Sequence, residues 1–482
     1  MNEMVTIPFG DFAKYPNLRM GTYYHLPELK YSYRPFKEVV DTIESGSRPN
    51  GGINPSDQGQ AISLGGEQIG ADGTLCLDRI PYIPFDYYYS ANRGRVKNND
   101  ILICKDGALT GKVCIVDVSL FPHDCIMVNE HVYIVRGNNE VDQKFLYCLM
   151  RMELFRNQII DLAYRKKGQP GLNSDHINSL MIPDIPLKIQ RQIIEKINPI
   201  FIRIEEIQKG IKTESEIINN CFQKEFSFDY DEFIRLKEHH NASLSFSNFS
   251  NNPDLRFSAK FHRKAGLFVM QQLTDRTLKR IKHYLSEPIV LGASISPNDY
   301  SDDEGYYYIS MATIKNWRFE AENANFVSDQ YATDNSEKAV QKNDIIIARS
   351  GEGTIGKVAL ISDESIHGIF ADFTMRIRLK DYNPEFAYYY FRTAYFQYLI
   401  EVYKKGLGNN TNIFPINIQE FPLLDISQDE QQRIVDEIHS EILKQDAIKN
   451  RIANLRLEID EIIKRAIIGG DRDQNTRDSS PK

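Results

Sequence analysis

One feature limits the folds open to this chain more than any other: its second half repeats its first. Residues 98–113 (NNDILICKDGALTGKV) match residues 342–358 (KNDIIIARSGEGTIGKV), with one residue inserted between the two glycines. Shorter matches keep the same order along the chain: 16–19 with 253–256, Ile62-Ser63 with Ile309-Ser310, 166–168 with 404–406, and Gln190 with Gln431. A period of about 240 residues is far longer than that of a solenoid. The sequence therefore predicts two copies of a whole domain.

Each copy contains the same elements in the same order. Aliphatic runs broken by Gly and Asn, such as 101–104 and 345–348, predict short strands. An aromatic helix follows, and its residues Phe145, Tyr147, Arg151, Phe155 and Ile159 recur as Phe386, Tyr388, Arg392, Phe396 and Ile400. A Gly/Asn-rich loop and a long helix complete the copy. These patterns predict an α+β fold, with two similar mixed α/β domains in tandem.

The two long helices carry apolar seams at heptad spacing. The first helix is predicted from about Leu187 to Lys224, and its seam contains Ile193, Ile197, Ile200, Ile204, Ile207, Ile211, Glu214 and Ile218. The second is predicted from about Gln428 to Ile468, and its seam contains Ile438, Glu441, Gln445, Ile448, Ile452, Leu455, Ile459, Ile462 and Ala466. Pro199 is expected to kink or loosen the first helix, because proline cannot donate a backbone hydrogen bond.

Helices of this length reach roughly 55–60 Å at 1.5 Å per residue. Neither can bury its seam against one small domain. We therefore expect the two long helices to separate the domains and to pair as an antiparallel coiled coil. The alternative is that each helix packs on its own domain.

Composition and charge indicate which partners the chain can bind and in which cellular compartment it is expected. The net charge of −8 does not favour nucleic acid, whose phosphates attract positive charge, but basic clusters at 93–97 and 165–167 leave a local binding surface open. No stretch approaches the ~18 apolar residues of a membrane span, and the N-terminal residues lack the pattern of a secretion signal. We therefore expect a cytoplasmic protein with no membrane partner. The six cysteines form no CxxC pair, which favours scattered buried thiols over a metal site.

Two motifs resemble catalytic or nucleotide-binding signatures but lack a required residue. Residues 351–357 (GEGTIGK) resemble a P-loop, but Val358 stands where a P-loop needs Ser or Thr, and the matching residues 107–112 are one position short. We interpret both as turns between strands. Residues 383–386 (NPEF) lack the second proline of an amino-methyltransferase motif. The sequence predicts no catalytic residue and no metal ligand.

Together these features resemble the specificity subunit of type I restriction–modification systems. The openings PNLR (16–19) and PDLRFSAKF (253–261) carry the resemblance, with the paired segments at 98–113 and 342–358. The loops RKKGQPGLNSDHIN (165–178) and KKGLGNNTNIFPIN (404–417) match the family's Gly/Asn-rich loop. An Ile-Pro or Phe-Pro step and a Gln-rich helix start follow each loop. The resemblance covers nearly all of residues 15–468.

The resemblance implies a division of the chain into recognition domains and spacers. It implies a first target recognition domain at 1–185, a first spacer helix at 186–226, a linker at 227–255, a second target recognition domain at 256–425, a second spacer helix at 426–470, and a disordered tail at 471–482. Each domain would read one part of a split DNA sequence, and the helices would set the distance between the parts.

The resemblance also implies partners. These are double-stranded DNA, two modification (methyltransferase) subunits that bind S-adenosylmethionine, and restriction subunits that use ATP and Mg²⁺, while this chain binds no cofactor and catalyses nothing. One alternative is the specificity subunit of a methyltransferase-only or type II-like complex. From different classes, the alternatives are a nucleotide-binding enzyme that uses the Gly-Lys loops and a coiled-coil scaffold without DNA specificity.

The candidate DNA contacts are side chains that pair with phosphates or read base edges: Arg and Lys for phosphate and guanine, Asn and Gln for adenine. In the first copy they are Lys105, Lys112, Arg165, Lys166, Lys167, Gln169 and Asn173. In the second copy they are Asn316, Arg318, Arg349, Lys357, Lys404, Lys405, Asn409, Asn410 and Asn412. Trp317, the only tryptophan, is either a groove contact or a packed ring. For any single residue of these sets, the alternative is an ordinary solvated loop position.

Overall fold

The computed structural model describes residues 29–49, 60–77, 80–163, 170–239, 245–247, 260–351, 353–406 and 410–468. The chain divides into two compact units: Met1–Gly210 with Asn450–Lys482, and Ile211–Lys449. The openings at 16–19 and 253–256 and the predicted tail at 471–482 lie outside the described residues. Among the helices that the structure describes, none is both long enough and apolar enough to cross a membrane.

The strands of the first unit are short and largely buried. They are β1 (Tyr33–Pro35), β2 (Val40–Ser45), β3 (Ala61–Leu64), β4 (Tyr82–Ile83), β5 (Ile101–Cys104), β6 (Val113–Ile115), β7 (Ile126–Val128), β8 (Val132–Gly137) and β9 (Met181–Pro183). An antiparallel sheet has the order β2-β8-β5-β6, and a second sheet has the order β4-β3-β7, in which β3 and β7 are parallel. Strands β1 and β9 pair antiparallel.

The helices of the first unit end in the first spacer helix. They are α1 (Phe85–Ser90), α2 (Gln143–Arg151), α3 (Glu153–Ala163), α4 (Ser174–Asn178) and α5 (Leu187–Gln208). Gln190, buried in the first turn of α5, accepts a hydrogen bond from the Asp142 N–H at 2.8 Å and donates one to the Ile185 carbonyl at 2.7 Å. Since Asp142 is the N-cap of α2, this glutamine ties the aromatic helix to the spacer.

The second unit begins with the rest of the first spacer segment. Its strands are β10 (Val290–Leu291), β11 (Tyr300–Ser301), β12 (Tyr306–Ile309), β13 (Ile314–Lys315), β14 (Arg318–Phe319), β15 (Phe326–Val327), β16 (Ile345–Ala348), β17 (Val358–Leu360), β18 (Gly368–Phe370) and β19 (Thr374–Ile377). The helices are α6 (Glu214–Phe226), α7 (Tyr230–Glu238), α8 (Lys264–Thr274), α9 (Asp329–Asp334), α10 (Pro384–Arg392), α11 (Ala394–Tyr403), α12 (Pro415–Gln419) and α13 (Gln428–Ile467). Residues of α13 from Asn450 onward group with the first unit.

The predicted duplication is confirmed by the strand order. The second unit has an antiparallel sheet β10-β19-β16-β17, which repeats β2-β8-β5-β6, and a sheet β11-β15-β12-β18, whose parallel pair β12–β18 repeats β3–β7. Strands β13 and β14 form a separate hairpin. The α+β class with two mixed units is therefore confirmed. Every residue of β5 in the first unit and of β16 in the second is buried.

One buried ion pair is repeated in both units. Arg136 donates to both oxygens of Asp100 at 2.7 Å, and Arg378 donates to both oxygens of Asp344 at 2.7 Å. Both aspartates are buried, and each lies immediately before the central strand, β5 or β16. A bidentate Arg–carboxylate pair fixes geometry as well as charge. The pair therefore holds the central strand to its neighbour in the same way twice.

One predicted match between the halves is wrong by two residues. Leu64 faces Val128 in the parallel pair of the first unit, and Ile309 faces Phe370 in that of the second. All four are the last residues of their strands, so Ile309 corresponds to Leu64 and not to Ile62. A shift of two positions leaves every side chain on the same face of a strand. Alternation therefore could not detect the error.

The first spacer segment is two helices rather than the one helix predicted. Helix α5 ends at Gln208, and α6 begins at Glu214. Thr213 caps α6: its Oγ1 accepts from the Glu216 N–H at 3.2 Å, while Glu216 Oε2 accepts from the Thr213 N–H at 2.7 Å. This capping box starts a new helix after the glycine at position 210. Pro199, in contrast, lies inside α5.

Within the second unit, α6 and the first half of α13 run antiparallel. The N–H of Lys212 donates to Gln445 Oε1 at 2.9 Å, and Lys224 Nζ lies 2.7 Å from Glu437 Oε1. As the residue numbers rise along one segment, they fall along the other. Gln445, a polar member of the predicted seam, is buried at this contact. These contacts agree with an antiparallel pairing inside this unit.

The seam of α13 shifts by one position in its last turns. Ile452, Leu455 and Ile459 are buried, as predicted, but the next buried residues are Ile463 and Ile467. The predicted Ile462 and Ala466 are only half-buried. An α-helix has 3.6 residues per turn, so a strict 3.5-residue repeat drifts around a straight helix.

Candidate nucleic-acid interface

In the first unit, the turn after β5 and the Gly/Asn-rich loop lie side by side. The Leu172 N–H donates to the Lys105 carbonyl at 2.7 Å, and the Gly107 N–H donates to the Pro170 carbonyl at 3.2 Å. The structure thus brings Lys105 next to Asn173, two residues that the sequence placed in one interface.

The two side chains have different surroundings. The Lys105 ammonium lies 5.3 Å from the centre of the Tyr133 ring. Asn173 is exposed, and its Oδ1 caps α4 by accepting from the His176 N–H at 2.7 Å. The predicted contacts Arg165, Lys166, Lys167 and Gln169 lie outside the described residues.

The second unit repeats the arrangement. The Ile413 N–H donates to the Arg349 carbonyl at 2.9 Å, and Ser350 Oγ donates to the Thr411 carbonyl at 3.0 Å. Lys405 and Asn412 exchange backbone hydrogen bonds of 2.8 and 2.7 Å across the loop. Arg349, Lys405 and Asn412 therefore belong to one region of this unit.

Two further predicted residues of the second copy lie near the same loop. Asn410 is exposed, and its carbonyl accepts from Asn412 Nδ2 at 3.3 Å. Lys404 forms an ion pair with Glu401 at 2.6 Å, so its charge is already partly compensated. Asn409 lies outside the described residues.

The Gly-Lys segments are turns between antiparallel strands, as predicted. Strand β16 leads through Gly351 and Gly356 directly into β17, with Ile347 opposite Val358. A P-loop would lead into a helix whose N-terminus holds the phosphates. Lys112 and Lys357 stand at the ends of the two turns and are half-buried, and their carbonyls accept from the strand before the turn at 2.9 Å.

Asn316 and Arg318 lie elsewhere, on the β13–β14 hairpin. Arg318 Nη2 donates to Glu214 Oε1 at 3.0 Å, and Asn316 Nδ2 donates to Glu320 Oε1 at 3.1 Å. The ring of Trp317 packs instead of projecting: the buried Arg392 guanidinium lies 5.6 Å from its centre. These residues connect the hairpin to α6 and α10 within their unit.

A polar cluster that the sequence did not predict stands at the end of β7 and the start of β8. His131 Nδ1 lies 2.8 Å from Asp106 Oδ1, and its Nε2 lies 3.4 Å from both Glu130 Oε1 and Arg48 Nη2. Arg48 Nη2 lies 2.5 Å from Glu130 Oε1. We call Arg48, Asp106, Glu130 and His131 the Arg-His cluster.

The Arg-His cluster borders an open cavity of about 870 Å³. Gly65, Gly66, Glu67, Gln68, Gly107, Leu109, Asn129 and Tyr82 also line it. All four side chains of the cluster are between 32% and 44% exposed, so they are accessible while held by one another. Asp106 belongs to the turn after β5, which places the cavity beside the predicted loops.

Cys104 also lines this cavity, which raises the question of a Cys-His nucleophile. Its Sγ donates to the Asp106 carbonyl at 3.4 Å, and burial raises the pKa of the thiol. A catalytic cysteine needs a lowered pKa. Among the described residues, no three His, Cys, Asp or Glu side chains are grouped to hold a metal ion. Glu67, Gln68 and Asn129 line the cavity beside the cluster, and their side chains can bind polar groups.

The second unit has different side chains at the matching positions. The N–H of Lys105 donates to the His131 carbonyl at 2.9 Å, and that of Arg349 donates to the Phe373 carbonyl at 3.0 Å, so Phe373 corresponds to His131. By the same register, Ser350 corresponds to Asp106.

The remaining pair of the cluster is also replaced. Asp372 precedes Phe373 as Glu130 precedes His131. Ser294 Oγ donates to Asp372 Oδ2 at 3.2 Å, in the role that Arg48 has toward Glu130. Arg349, which corresponds to Lys105, lies 5.7 Å from the ring centre of the exposed Phe373. The sequence contains one signal of the correspondence between His131 and Phe373. Each of them precedes its repeated arginine, Arg136 or Arg378, by the same number of residues.

The chain is similar to known proteins in sequence and in structure. The family model described as "Type I restriction modification DNA specificity domain" matches residues 85–216 and 288–456. No curated protein matches the chain. A solved chain from work on complex assembly and conformational transition of the type I R-M system has 17% identity and a TM-score of 0.43, covering 92% of this chain and 99% of that one.

Two crystal structures of related subunits are also similar. The type I restriction–modification S subunit from M. genitalium has 14% identity and a TM-score of 0.37, covering 93% of this chain and 99% of that one. The HsdS subunit from Thermoanaerobacter tengcongensis has 16% identity and a TM-score of 0.31, covering 92% and 98%.

Proposed function

The chain belongs to the type I restriction–modification DNA specificity family, and we propose that each of its two units reads one half of a bipartite DNA target. Membership confirms the prediction of a DNA-recognition chain without a catalytic role. The observation that carries the bipartite proposal is that the family match falls separately on the two repeats. Each repeat pairs a turn with a Gly/Asn loop at the same backbone positions, while the side chains there differ. Different side chains at matched positions would select different bases.

The internal duplication supports a further part of the proposal, which is the set of partners. A chain with two similar halves offers two similar surfaces, which suits two copies of one partner. We propose that these are two modification subunits, which bind S-adenosylmethionine, and that restriction subunits, which use ATP and Mg²⁺, join the complex. The complex would act on DNA in the cytoplasm. The net charge of −8 leaves DNA binding to local groups such as Lys105 and Arg349.

An exchange of domains tests the proposal. Residues 1–185 or 256–425 are replaced by the matching block of a family member with another target, and each chimera is purified with its modification subunits. Mapping of methylated sites across a genome should show one half of the target changed and the other retained. A chimera that changes both halves, or neither, would contradict two independent readers.

Two controls accompany the exchange. The wild-type chain without partner subunits should methylate no DNA and hydrolyse no ATP. Addition of the modification subunits alone should restore methylation, and cleavage should need the restriction subunits as well. Methylation by the chain alone would refute its assignment as a recognition subunit.

A further inference from the structure

We infer that the cavity beside the Arg-His cluster reads a G·C base pair in the target of the first unit, with Arg48 and His131 as specificity-determining residues. This inference rests on the proposed function and names the chemistry of one of its two readers. Three observations carry it: the position of the cavity, the signs of its charges, and the replacement of the cluster in the second unit.

The position is that of a reading site. Asp106 follows β5 and belongs to the turn, and its backbone pairs with Gly171 of the Gly/Asn-rich loop. The cavity wall that contains Asp106 and Gly107 is therefore continuous with the two loops that approach each other through Lys105 and Leu172. A duplex held by those loops would have a groove facing the cavity.

The charges favour a base edge over a phosphate. Among the described residues that line the cavity or form the cluster, Glu67, Asp106 and Glu130 carry carboxylates and Arg48 carries a guanidinium. A phosphate would be repelled by this excess of negative charge. A G·C pair instead presents guanine O6 and N7 as acceptors and the cytosine amino group as a donor. Arg48 has five N–H donors, more than Glu130 can accept, and the carboxylates can accept from cytosine.

The ion pairs fix the orientation of the reader before DNA arrives. Arg48 is bound to Glu130, and His131 is bound to Asp106 on one ring nitrogen, so neither side chain must be ordered by the ligand. Preorganised donors discriminate between bases at low entropic cost. Gly65 and Gly66, which have no side chains, line the cavity of about 870 Å³ and leave its volume open to a base edge.

The second unit shows that these positions change while the backbone does not. Ser294 and Phe373 stand in place of Arg48 and His131, on the same strand ends. Residues that merely held the fold would not have to differ between two copies with the same buried Asp–Arg pair. The difference is that expected of two readers for unlike half-sites.

The test uses the chain with its modification subunits. In Arg48→Ser and His131→Phe, the first unit takes the residues of the second, and Arg48→Lys keeps the charge without the planar donor set. Methylated sites are mapped for each complex. All three variants should lose a G·C requirement at one position of the first half-site, with roughly a tenfold or greater drop in discrimination, and keep the second half-site.

Two further variants sharpen the test. Arg191→Ser removes an exposed arginine on α5 and serves as the matched control, which should leave the target unchanged. Ser294→Arg places the cation beside Asp372 in the second unit and should add a preference for G·C in the second half-site. Hydrogen exchange of both units in each complex verifies that the variants are folded.

The outcomes separate the inference from the function it rests on. If the wild-type complex methylates a bipartite target but folded Arg48 and His131 variants keep its sequence, the inference is overturned and the proposed function stands. A uniform loss of methylation at all sequences, with a smaller salt dependence, would assign Arg48 to a phosphate and also overturn it. If the wild-type complex shows no bipartite target, the proposed function fails, and the inference fails with it.

Discussion

In each unit, an ion pair joins a hairpin to a helix, and the charges of the two partners are reversed between the units. In the first unit, the hairpin is the turn between Ile69 and Leu75, which form one antiparallel β-bridge, and its Asp72 accepts from Arg456 of α13 at 2.8 Å. In the second, Arg318 of the β13–β14 hairpin donates to Glu214 of α6 at 3.0 Å. The hairpin carries the anion in one unit and the cation in the other. We call these two contacts the hairpin clamps.

Beneath both clamps lies the repeated Tyr-x3-Arg pair of the aromatic helix. The Tyr147 hydroxyl donates to the Gly73 carbonyl at 3.0 Å, and the Tyr388 hydroxyl donates to the Trp317 carbonyl at 2.7 Å. The backbone contact was thus retained after duplication, while the side chains around it diverged.

The largest difference between the units is expected at the two arginines of this pair. Arg392 has a side chain only 4% exposed and lies 2.6 Å from Glu214, whereas Arg151 is half-buried and lies 3.3 Å from the Tyr147 hydroxyl. Arg392→Ala should lower the free energy of unfolding of the second unit by about 2–3 kcal/mol, because it removes a buried guanidinium that binds both Glu214 and the Tyr388 hydroxyl. Arg151→Ala should cost the first unit about 1 kcal/mol.

Hydrogen exchange read out by mass spectrometry measures this contrast, since it reports each unit separately. Tyr388→Phe is a milder control, because it removes the two hydrogen bonds of the hydroxyl, to the Trp317 carbonyl and from Arg392, and leaves the ion pair. Equal losses of protection for the two arginine variants would show that the burial of Arg392 has no energetic consequence.

A smaller effect is expected from reversing the clamp of the first unit. The side chains of Asp72 and Arg456 are 43% and 20% exposed, so Asp72→Arg should lower stability by roughly 1 kcal/mol through repulsion. Arg456→Asp in the same chain should restore the part of that loss that comes from repulsion, while the hydrogen bonds from Thr74 to Asp72 stay lost. A double-mutant cycle by urea unfolding measures the coupling, and its absence would exclude the clamp as an interaction.

The same exchange should fail in the second unit, which sharpens the comparison. Glu214 also binds the buried Arg392 at 2.6 Å. Arg318→Glu with Glu214→Arg therefore places two arginines together, and stability should not recover. Recovery there would mean that Arg392 is independent of Glu214.

The smallest effect concerns pH and Asp460 in the first unit. Burial raises the pKa of Asp460 above its ordinary value of 3.8, and Glu461 adds to this, while Arg151 and Lys464 oppose it. Because the folded pKa exceeds the unfolded one, the folded state loses stability as pH rises through the folded pKa. In the second unit an amide, Asn219, follows the buried Ile218 as Asp460 follows Ile459, and no such loss arises there.

Asp460→Asn should therefore give the first unit the behaviour of the second. The variant should gain about 0.5 kcal/mol near pH 7 and nothing at the lowest pH, as measured by urea unfolding of variant and wild type in parallel. Asp72 provides the opposite control. Burial raises its pKa, but the Thr74 hydrogen bonds and the Arg456 charge outweigh burial and lower it, so its contribution is lost as pH falls. A variant with the wild-type pH profile would contradict the role of Asp460.

The sequence predicted those features that depend on neighbours along the chain. Buried aliphatic runs gave strands β5 and β16, and glycines gave the turns that follow them, because alternation and turn chemistry act over a few residues. The break between α5 and α6 also has a local sequence signal, which is the capping box formed by Thr213 and Glu216. The prediction missed it because the apolar seam continues across the break through Ile211. Ile211 is 36% exposed, so the seam residue there contributes little burial.

The candidate site was only partly predictable for the same reason. Lys105 and Arg349 were found because they stand at matched positions beside repeated glycines. Arg48 and His131 were not found, because they are distant in the sequence and their own segments match the second copy weakly. Because His131 is replaced by Phe373 in the second copy, the residue types do not show that the two positions correspond. The matching backbone hydrogen bonds show it.

The sequence by itself determined that the chain is a duplicated α+β protein with two long helical segments, since each of these follows from periodicity and composition. Only the tertiary structure decided which distant groups meet. Arg456 reaches Asp72, and Arg48 reaches His131, through folding that no local pattern encodes. The physical reason is that strand and helix propensities are short-range, whereas an ion pair forms wherever packing brings two charges within about 4 Å.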